Sequence, residues 1–230
     1  MADTVTNVSW PAGIEPASPR ALGLAMLEAD PHAWRLDRSA QLAAVSDALA
    51  DGATTARNLR DRFAGLDPRG IALRLGLTVE VTDDDPLVGS IWRFAEYRPR
   101  PPGIRLYDRG LAALDDAVCG SLAKRWLGSA TPQDVFIAHE LYHHAEASRT
   151  DVPIARRHLA TLFRVGSWHW RTGIAALAEI AAGAFAQSLL NLPYHPRVLD
   201  FAALGAMSSL RHREDRDRNS RTFGAVSSSR

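Results

Sequence analysis

Thr131-Pro132-Gln133-Asp134-Val135-Phe136-Ile137-Ala138-His139-Glu140-Leu141-Tyr142-His143-His144 is the stretch on which the fold turns. Thr131 has the chemistry of an N-cap, Pro132 suits the first helical position, and Asp134 places a negative side chain near the positive end, so a helix is expected to begin here. Four helical residues turn through about 400°, which brings His139 and His143 out on one face, roughly 6 Å apart along the axis. Two imidazoles so placed can converge on one metal ion. Glu140 points about 100° away, where its carboxylate can take a proton from water at the open coordination position. Phe136, Ile137, Ala138, Leu141 and Tyr142 give a broad apolar flank that seats the helix against the body of a domain. Tyr142 is expected to face the core, and His144, a further 100° on from His143, is expected outside the ligand set.

A catalytic zinc site has three protein ligands and an open position, so a third ligand is required. Glu179 is the only charge in the run Ile174 to Leu190, which is otherwise small and apolar. An unpaired carboxylate is expensive in such surroundings, and metal ligation offsets the cost. Ala175, Ala178, Ala182, Ala186 and Gly183 permit close approach by the histidine-bearing helix. His169, between Trp168 and Trp170, and His195, between Tyr194 and Pro196, are the alternative third ligands. A carboxylate bonded to a backbone group or an arginine at the helix rim is the bland alternative for Glu179.

Taken together, these elements resemble the ImmA/IrrE family of metallopeptidases, whose members carry HExxH followed by a helix of the form E-x-x-A-x-x-F-A-x-x-L-L and then proline. Here the second element reads Glu179, Ala182, Phe185, Ala186, Leu189, Leu190, then Asn191-Leu192-Pro193. Upstream, Ile71-Ala72-Leu73-Arg74-Leu75 leading into Gly76-Leu77-Thr78-Val79-Glu80-Val81 echoes the same family, so the resemblance spans roughly residues 55 to 195. Tyr142 stands where many relatives have glycine. Ala181 stands where many have an acidic residue, so in this chain the third carboxylate rests on Glu179. The resemblance implies a zincin-like domain, bound Zn²⁺ and peptidase activity. It further implies a cytoplasmic protein substrate, such as a helix-turn-helix transcriptional repressor, cleaved for regulation.

The chain of 230 residues can bury one good core, and a formal charge of +1 gives no general reason to invoke nucleic acid. Cys119 is the single cysteine, which excludes an intramolecular disulfide. Met1-Ala2-Asp3-Thr4 has neither the basic start nor the apolar stretch of a signal peptide, so a cytoplasmic location is expected. The Ile174 to Leu190 run is too short and too weakly apolar for a membrane span. Neither a membrane nor a nucleic acid is expected as a partner, and no glycine-rich phosphate loop or internal repeat is present.

The expected fold is α+β, mostly helical, with a small three-stranded sheet. The chain divides into a leader and accessory helices over residues 1–53, a zincin-like domain over 54–210 and a disordered tail over 211–230. Helices are expected at Ala21 to Glu28, Arg38 to Ala50, Thr54 to Leu66, Pro68 to Leu75, Arg109 to Val118, Gly120 to Trp126 and Val198 to Met207. Strands are expected from Leu77, around Ser90 to Glu96, and at Gly103 to Tyr107, with Pro99, Pro101 and Pro102 as a stiff connection. The insertion between His143 and Glu179, rich in arginine and tryptophan, reads most simply as an extra helix with its arginines in water.

Function follows from the motif as zinc-dependent peptide hydrolysis. His139, His143 and Glu179 hold Zn²⁺, Glu140 is the catalytic base, and His169, Tyr194 and His195 are candidate substrate or oxyanion contacts. Two other classes use the same residues: a non-catalytic, zinc-stabilised interaction or regulatory module, and a hydrolase of a non-peptide amide or ester.

Overall fold

Side-chain caps set the starts of the first three α-helices. In a computed structural model, which describes residues 18–88, 91–118, 125 and 127–199, Ser18 caps α1 (Pro19–Glu28) and Asp37 caps α2 (Arg38–Arg62). Asp67 caps α3 (Pro68–Arg74), its carboxylate accepting from the Gly70 N–H at 2.6 Å. Each cap satisfies one of the N–H groups that the first helical turn leaves without an intrahelical partner. The strands β1 (Thr78–Thr82), β2 (Leu87–Val88), β3 (Ile91–Trp92), β4 (Ala95–Pro99) and β5 (Pro102–Tyr107) follow, and then α4 (Asp108–Val118). The second half holds α5 (Pro132–Ala147), the short α6 (Ile154–Arg157), β6 (Ala160–Val165), β7 (Trp168–Thr172) and α7 (Ala176–Leu190). The architecture is α+β and mostly helical, with a small three-stranded sheet.

That sheet runs in the order β1-β5-β4, with β1 parallel and β4 antiparallel to the central strand. Val79 and Tyr97 flank Ile104 on either side. Ile104 and Leu106 are fully buried and share one core with Ile137, Leu141 and Tyr142 of α5, Leu177, Ile180 and Phe185 of α7, and Ala44, Val45 and Ala48 of α2. Trp92 and Phe94 are only half-buried, and Phe94 stacks on Phe136 with ring centroids 4.8 Å apart. Burial of this apolar face on α5 and α7 fixes the two helices that carry the histidines and Glu179.

Three local expectations are corrected. Arg38 to Ala50 and Thr54 to Leu66 are not separate helices but the single helix α2, which ends at Arg62. The Asp51-Gly52 pair that reads as a break is a packing device: a Cβ on Gly52 would overlap the Ala181 carbonyl, so glycine lets α2 and α7 touch backbone to backbone. The second strand does not run unbroken from Ser90 to Glu96. Ile91–Trp92 pairs back on Leu87–Val88, and the strand of the main sheet begins at Ala95. The third correction concerns the insertion after His143, which holds only the four-residue α6 and then the antiparallel hairpin β6–β7. Gly166, at φ +58°, is the first of two turn residues between Val165 and Trp168, the glycine-first pattern of a type II′ hairpin turn. Phe163, Val165, Trp168 and Trp170 alternate with polar residues on either side of that turn, which is a strand period and not a helical one.

Asp51 ties the helices together from the side. Its carboxylate accepts from the Tyr142 hydroxyl at 2.8 Å, from Arg149 Nη1 at 3.1 Å and from Arg157 Nη2 at 2.8 Å. Tyr142 therefore faces inward, as its place in the motif predicts, and its hydroxyl is satisfied by α2. No helix among the described residues is long and apolar enough to cross a membrane. The expected helix at Gly120 to Trp126, most of that at Val198 to Met207, the leader and the tail from residue 211 lie outside the described residues.

Candidate metal centre

The N-terminus of α5 is built as the sequence predicts. Thr131 Oγ1 accepts from the Asp134 N–H at 3.1 Å while the Asp134 carboxylate accepts from the Thr131 N–H at 2.9 Å, a reciprocal capping box. Two turns further on, His139 and His143 project together, and α7 brings Glu179 against them. His139 Nε2 lies 3.1 Å from Glu179 Oε2, His143 Nε2 lies 3.6 Å from Glu179 Oε1, and the two Nε2 atoms are 3.3 Å apart. Zn–N and Zn–O bonds of about 2.0–2.2 Å at tetrahedral angles put neighbouring ligand atoms roughly 3.4 Å apart. The two imidazole nitrogens stand at that spacing, each has a Glu179 oxygen within 3.6 Å, and one ligand atom from each of the three residues can be chosen within 4.8 Å of the others. Among the described residues this is the one group of three or more His, Cys, Asp or Glu side chains that can share an ion.

The electrostatics favour the ligating forms. Burial, then the neighbouring His139, pushes the His143 pKa down to about 4, leaving its ring neutral near pH 7. Burial alone would raise Glu179. The hydrogen bond and charge of His139, the charge that His143 carries once protonated at low pH, and that of Arg197 outweigh it and hold the carboxyl at about 2. A neutral imidazole and an ionised carboxylate are what a divalent metal requires. Glu179 sits in the first turn of α7, where the helix dipole also favours an anion. Its side chain remains 53% exposed, so the enclosed apolar setting suggested by its sequence neighbours is not its environment. Convergence with the histidines, rather than burial, places it where it can share an ion with them, and its exposed side leaves the cluster open to solvent.

Glu140 is turned into the protein beside this triad. Its Oε2 accepts the backbone N–H of Tyr97 at 2.7 Å, which fixes the carboxylate between α5 and the edge strand β4. Burial raises its pKa, opposed by the charge of His139 and by the Tyr97 hydrogen bond and reinforced by the charge of Glu179. A carboxyl displaced upward in this way is a stronger base toward a proton than an exposed one. One turn along the same face, His144 Nδ1 lies 3.1 Å from the Tyr97 hydroxyl. Tyr97 thus spans two residues of α5, one through its backbone and one through its side chain. A main-chain contact of this kind leaves no signature in sequence, and Tyr97 is not singled out by the motif.

The remaining candidates separate. His169 is exposed on β7, opposite Arg164, and does not join the triad. Tyr194 is half-buried against a satellite cluster that includes Leu114, Val135 and Leu192. His195 is buried with its ring against Gly183, one helical turn beyond Glu179 on α7. Its Nδ1 accepts from the Arg197 N–H at 3.2 Å, which assigns the ring proton to Nε2, near the Ile180 carbonyl. Burial lowers its pKa to about 4. His195 therefore packs against α7 one turn from Glu179, whose carboxylate feels the charge of nearby Arg197.

No family model, no curated protein and no solved structure matches this chain. What characterises the site is its own geometry: a His139-Glu140…His143 helix and Glu179 gathered in a mostly helical fold with a small sheet, an arrangement consistent with the zincin-like metallopeptidase superfamily.

Proposed function

We propose that the protein is a zinc-dependent endopeptidase of the ImmA/IrrE type. The observation that carries this reading is the convergence of His139, His143 and Glu179, with one ligand atom from each within 4.8 Å of the others and Glu140 buried and positioned beside them. The donor set, two imidazole nitrogens and a carboxylate oxygen, fits Zn²⁺. Zinc held there supplies Lewis acidity, lowering the pKa of water and polarising a substrate carbonyl.

Glu140 then accepts a proton from the attacking water as the new C–O bond forms, and returns it to the amide nitrogen as the C–N bond breaks. The Tyr97 N–H, by occupying Oε2, leaves Oε1 to carry that proton. Strand β4 is paired on one side only, with β5, and its other side runs past Glu140. A substrate chain in extended form can lie along that edge, which favours a peptide over a compact ester or amide. The family resemblance supplies the rest of the reading: a cytoplasmic protein, such as a helix-turn-helix repressor, cut at few positions for regulation.

A purely structural zinc site closes with four protein ligands. Among the described residues three converge, and Glu179 is half open to solvent, which favours catalysis over a zinc-stabilised interaction module. The test is wild type against Glu140→Gln, with zinc content measured in both, each incubated with a proteome from the source organism and read out as new peptide termini. One or a few cuts made only by the wild type, at equal zinc content, support the proposal. Equal cleavage by the two proteins removes Glu140 from the reaction, and no cuts at full zinc occupancy favours the interaction module.

A further inference from the structure

The hairpin β6–β7 has two unlike faces. Phe163 pairs with Trp170 and Val165 with Trp168, and because these pairs lie two residues apart on each strand, all four side chains share one face. Arg164 pairs with His169 on the opposite face, and Arg171 lies two residues from His169 on that same side. All four apolar side chains are exposed, Trp168 at the turn by 82%. Monomeric proteins seldom leave a contiguous aromatic patch in water without a use for it. The core does not need these side chains, and a hairpin of two strands gains little stability from them alone.

Charge indicates what covers the patch. Between Asp151 and Glu179 the sequence contains no acidic residue, whereas it contains Arg156, Arg164 and Arg171 besides Arg157, whose charge is taken up by Asp51. At the base of the hairpin, Arg35 Nη1 donates to the Thr161 and Leu162 carbonyls at 3.2 and 3.0 Å, and exposed Trp34 lies under its guanidinium. We propose that the β6–β7 hairpin is a peripheral membrane anchor, which seats its aromatic face in the interface of an anionic bilayer while the arginines on its other face draw it to the negatively charged surface. Tryptophan prefers the headgroup level, and arginine beside it adds attraction to anionic lipid.

Segregation of the two faces argues against a single-stranded nucleic acid. Stacking platforms set cations beside aromatic rings, whereas here the arginines lie across the hairpin from them. Phe163 and Trp170 are also stacked on each other, with centroids 5.7 Å apart and planes within 12°, so no base fits between them. The proposal revises the expectation of no membrane partner, which rested on spanning segments, and it is independent of the reading of the metal centre.

The test is co-sedimentation of the full chain with vesicles of phosphatidylcholine, alone or mixed with phosphatidylserine. Comparison is made with Trp168→Ala/Trp170→Ala and with Arg164→Glu/Arg171→Glu, each checked for unchanged thermal unfolding. Wild type should pellet with the mixed vesicles, less with phosphatidylcholine alone and less at high salt, and brominated lipid should quench its tryptophan fluorescence. The tryptophan variant should lose at least about ten-fold in partitioning together with that quenching, and the arginine variant should lose the preference for phosphatidylserine. Wild type remaining in the supernatant overturns the proposal. So does a tryptophan variant that pellets like wild type, or a wild type that binds a single-stranded RNA oligonucleotide and ignores vesicles.

Discussion

Tyr97 donates its backbone N–H to Glu140 Oε2 at 2.7 Å, while its hydroxyl lies 3.1 Å from His144 Nδ1. The two contacts separate by mutation, because a side-chain change at residue 97 leaves the amide in place. Tyr97→Phe is expected to lower stability by about 1 kcal/mol through the lost hydroxyl contact, with peptidase activity kept within a few-fold. Glu140→Gln should instead keep stability and zinc content while abolishing turnover. Thermal unfolding and cleavage rates of the two variants check the distinction, and a Tyr97→Phe protein as inactive as Glu140→Gln would move the base's anchor from backbone to side chain.

Glu179 completes the ligand triangle from a different helix than the histidines. Glu179→Gln keeps the shape but removes the charge, and is expected to weaken zinc binding by more than the roughly 10–100-fold typical of groups that only support a ligand. Titration calorimetry and metal analysis after dialysis measure this directly. Unaltered affinity would return the third-ligand role to another residue.

Asp51 is nearly buried and ion-paired with Arg149 and Arg157. Burial raises its pKa, but the hydrogen bonds from Arg149, Tyr142 and Arg157 and the Arg149 charge outweigh it, and the net shift is downward. Its contribution to stability is therefore complete above the ordinary carboxyl value of 3.8 and is lost as pH falls through the lower folded value. Asp51→Ala should cost about 2 kcal/mol near pH 7, below the usual figure for breaking a buried pair because both arginines are partly exposed. Denaturant midpoints for the two proteins should converge at strongly acidic pH.

His195 titrates in a separate window. Its folded pKa is near 4 against an ordinary 6.5, so between those values the unfolded chain binds the extra proton. Stability must then fall as pH drops from about 6.5 to 4, by about 3 kcal/mol from this residue. His195→Gln removes this residue's share and leaves that of His143, which titrates over the same interval in the metal-free protein. Metal-free wild type and variant, unfolded in denaturant at several pH values, should differ in slope across that interval, and parallel curves would show that the buried ring already shares a proton in the native state.

The histidine helix was readable because everything that defines it is local: a cap, a proline, an acidic first turn and two histidines four residues apart. Glu179 was readable for a similar reason, as one charge in an apolar helical run. The features missed depend on what lies across the molecule. Asp51-Gly52 looks like a helix break until the Ala181 carbonyl is seen to occupy the missing side chain's place. The hairpin was misassigned because its arginines suggested a solvated helix, although alternation of Phe163, Val165, Trp168 and Trp170 about Gly166 carried the strand signal. Tyr97 reaches Glu140 through an atom that every residue except proline possesses, so its identity conveys nothing about that role.

Ala160 and Thr172 are cross-strand partners, and just below them the Ile174 N–H donates to the Ala155 carbonyl at 2.7 Å. The chain consequently leaves the body of the protein and returns to it at one point, and the spacing of α6 and α7 does not depend on how many residues the excursion contains. Glu179 is thereby insulated from it. The hairpin is a cassette: it can be shortened, lengthened or exchanged for another reader of surfaces without moving the third ligand relative to the first two. The number of residues separating His143 from Glu179 is thus a variable open to change, while the three distances among their ligand atoms are not.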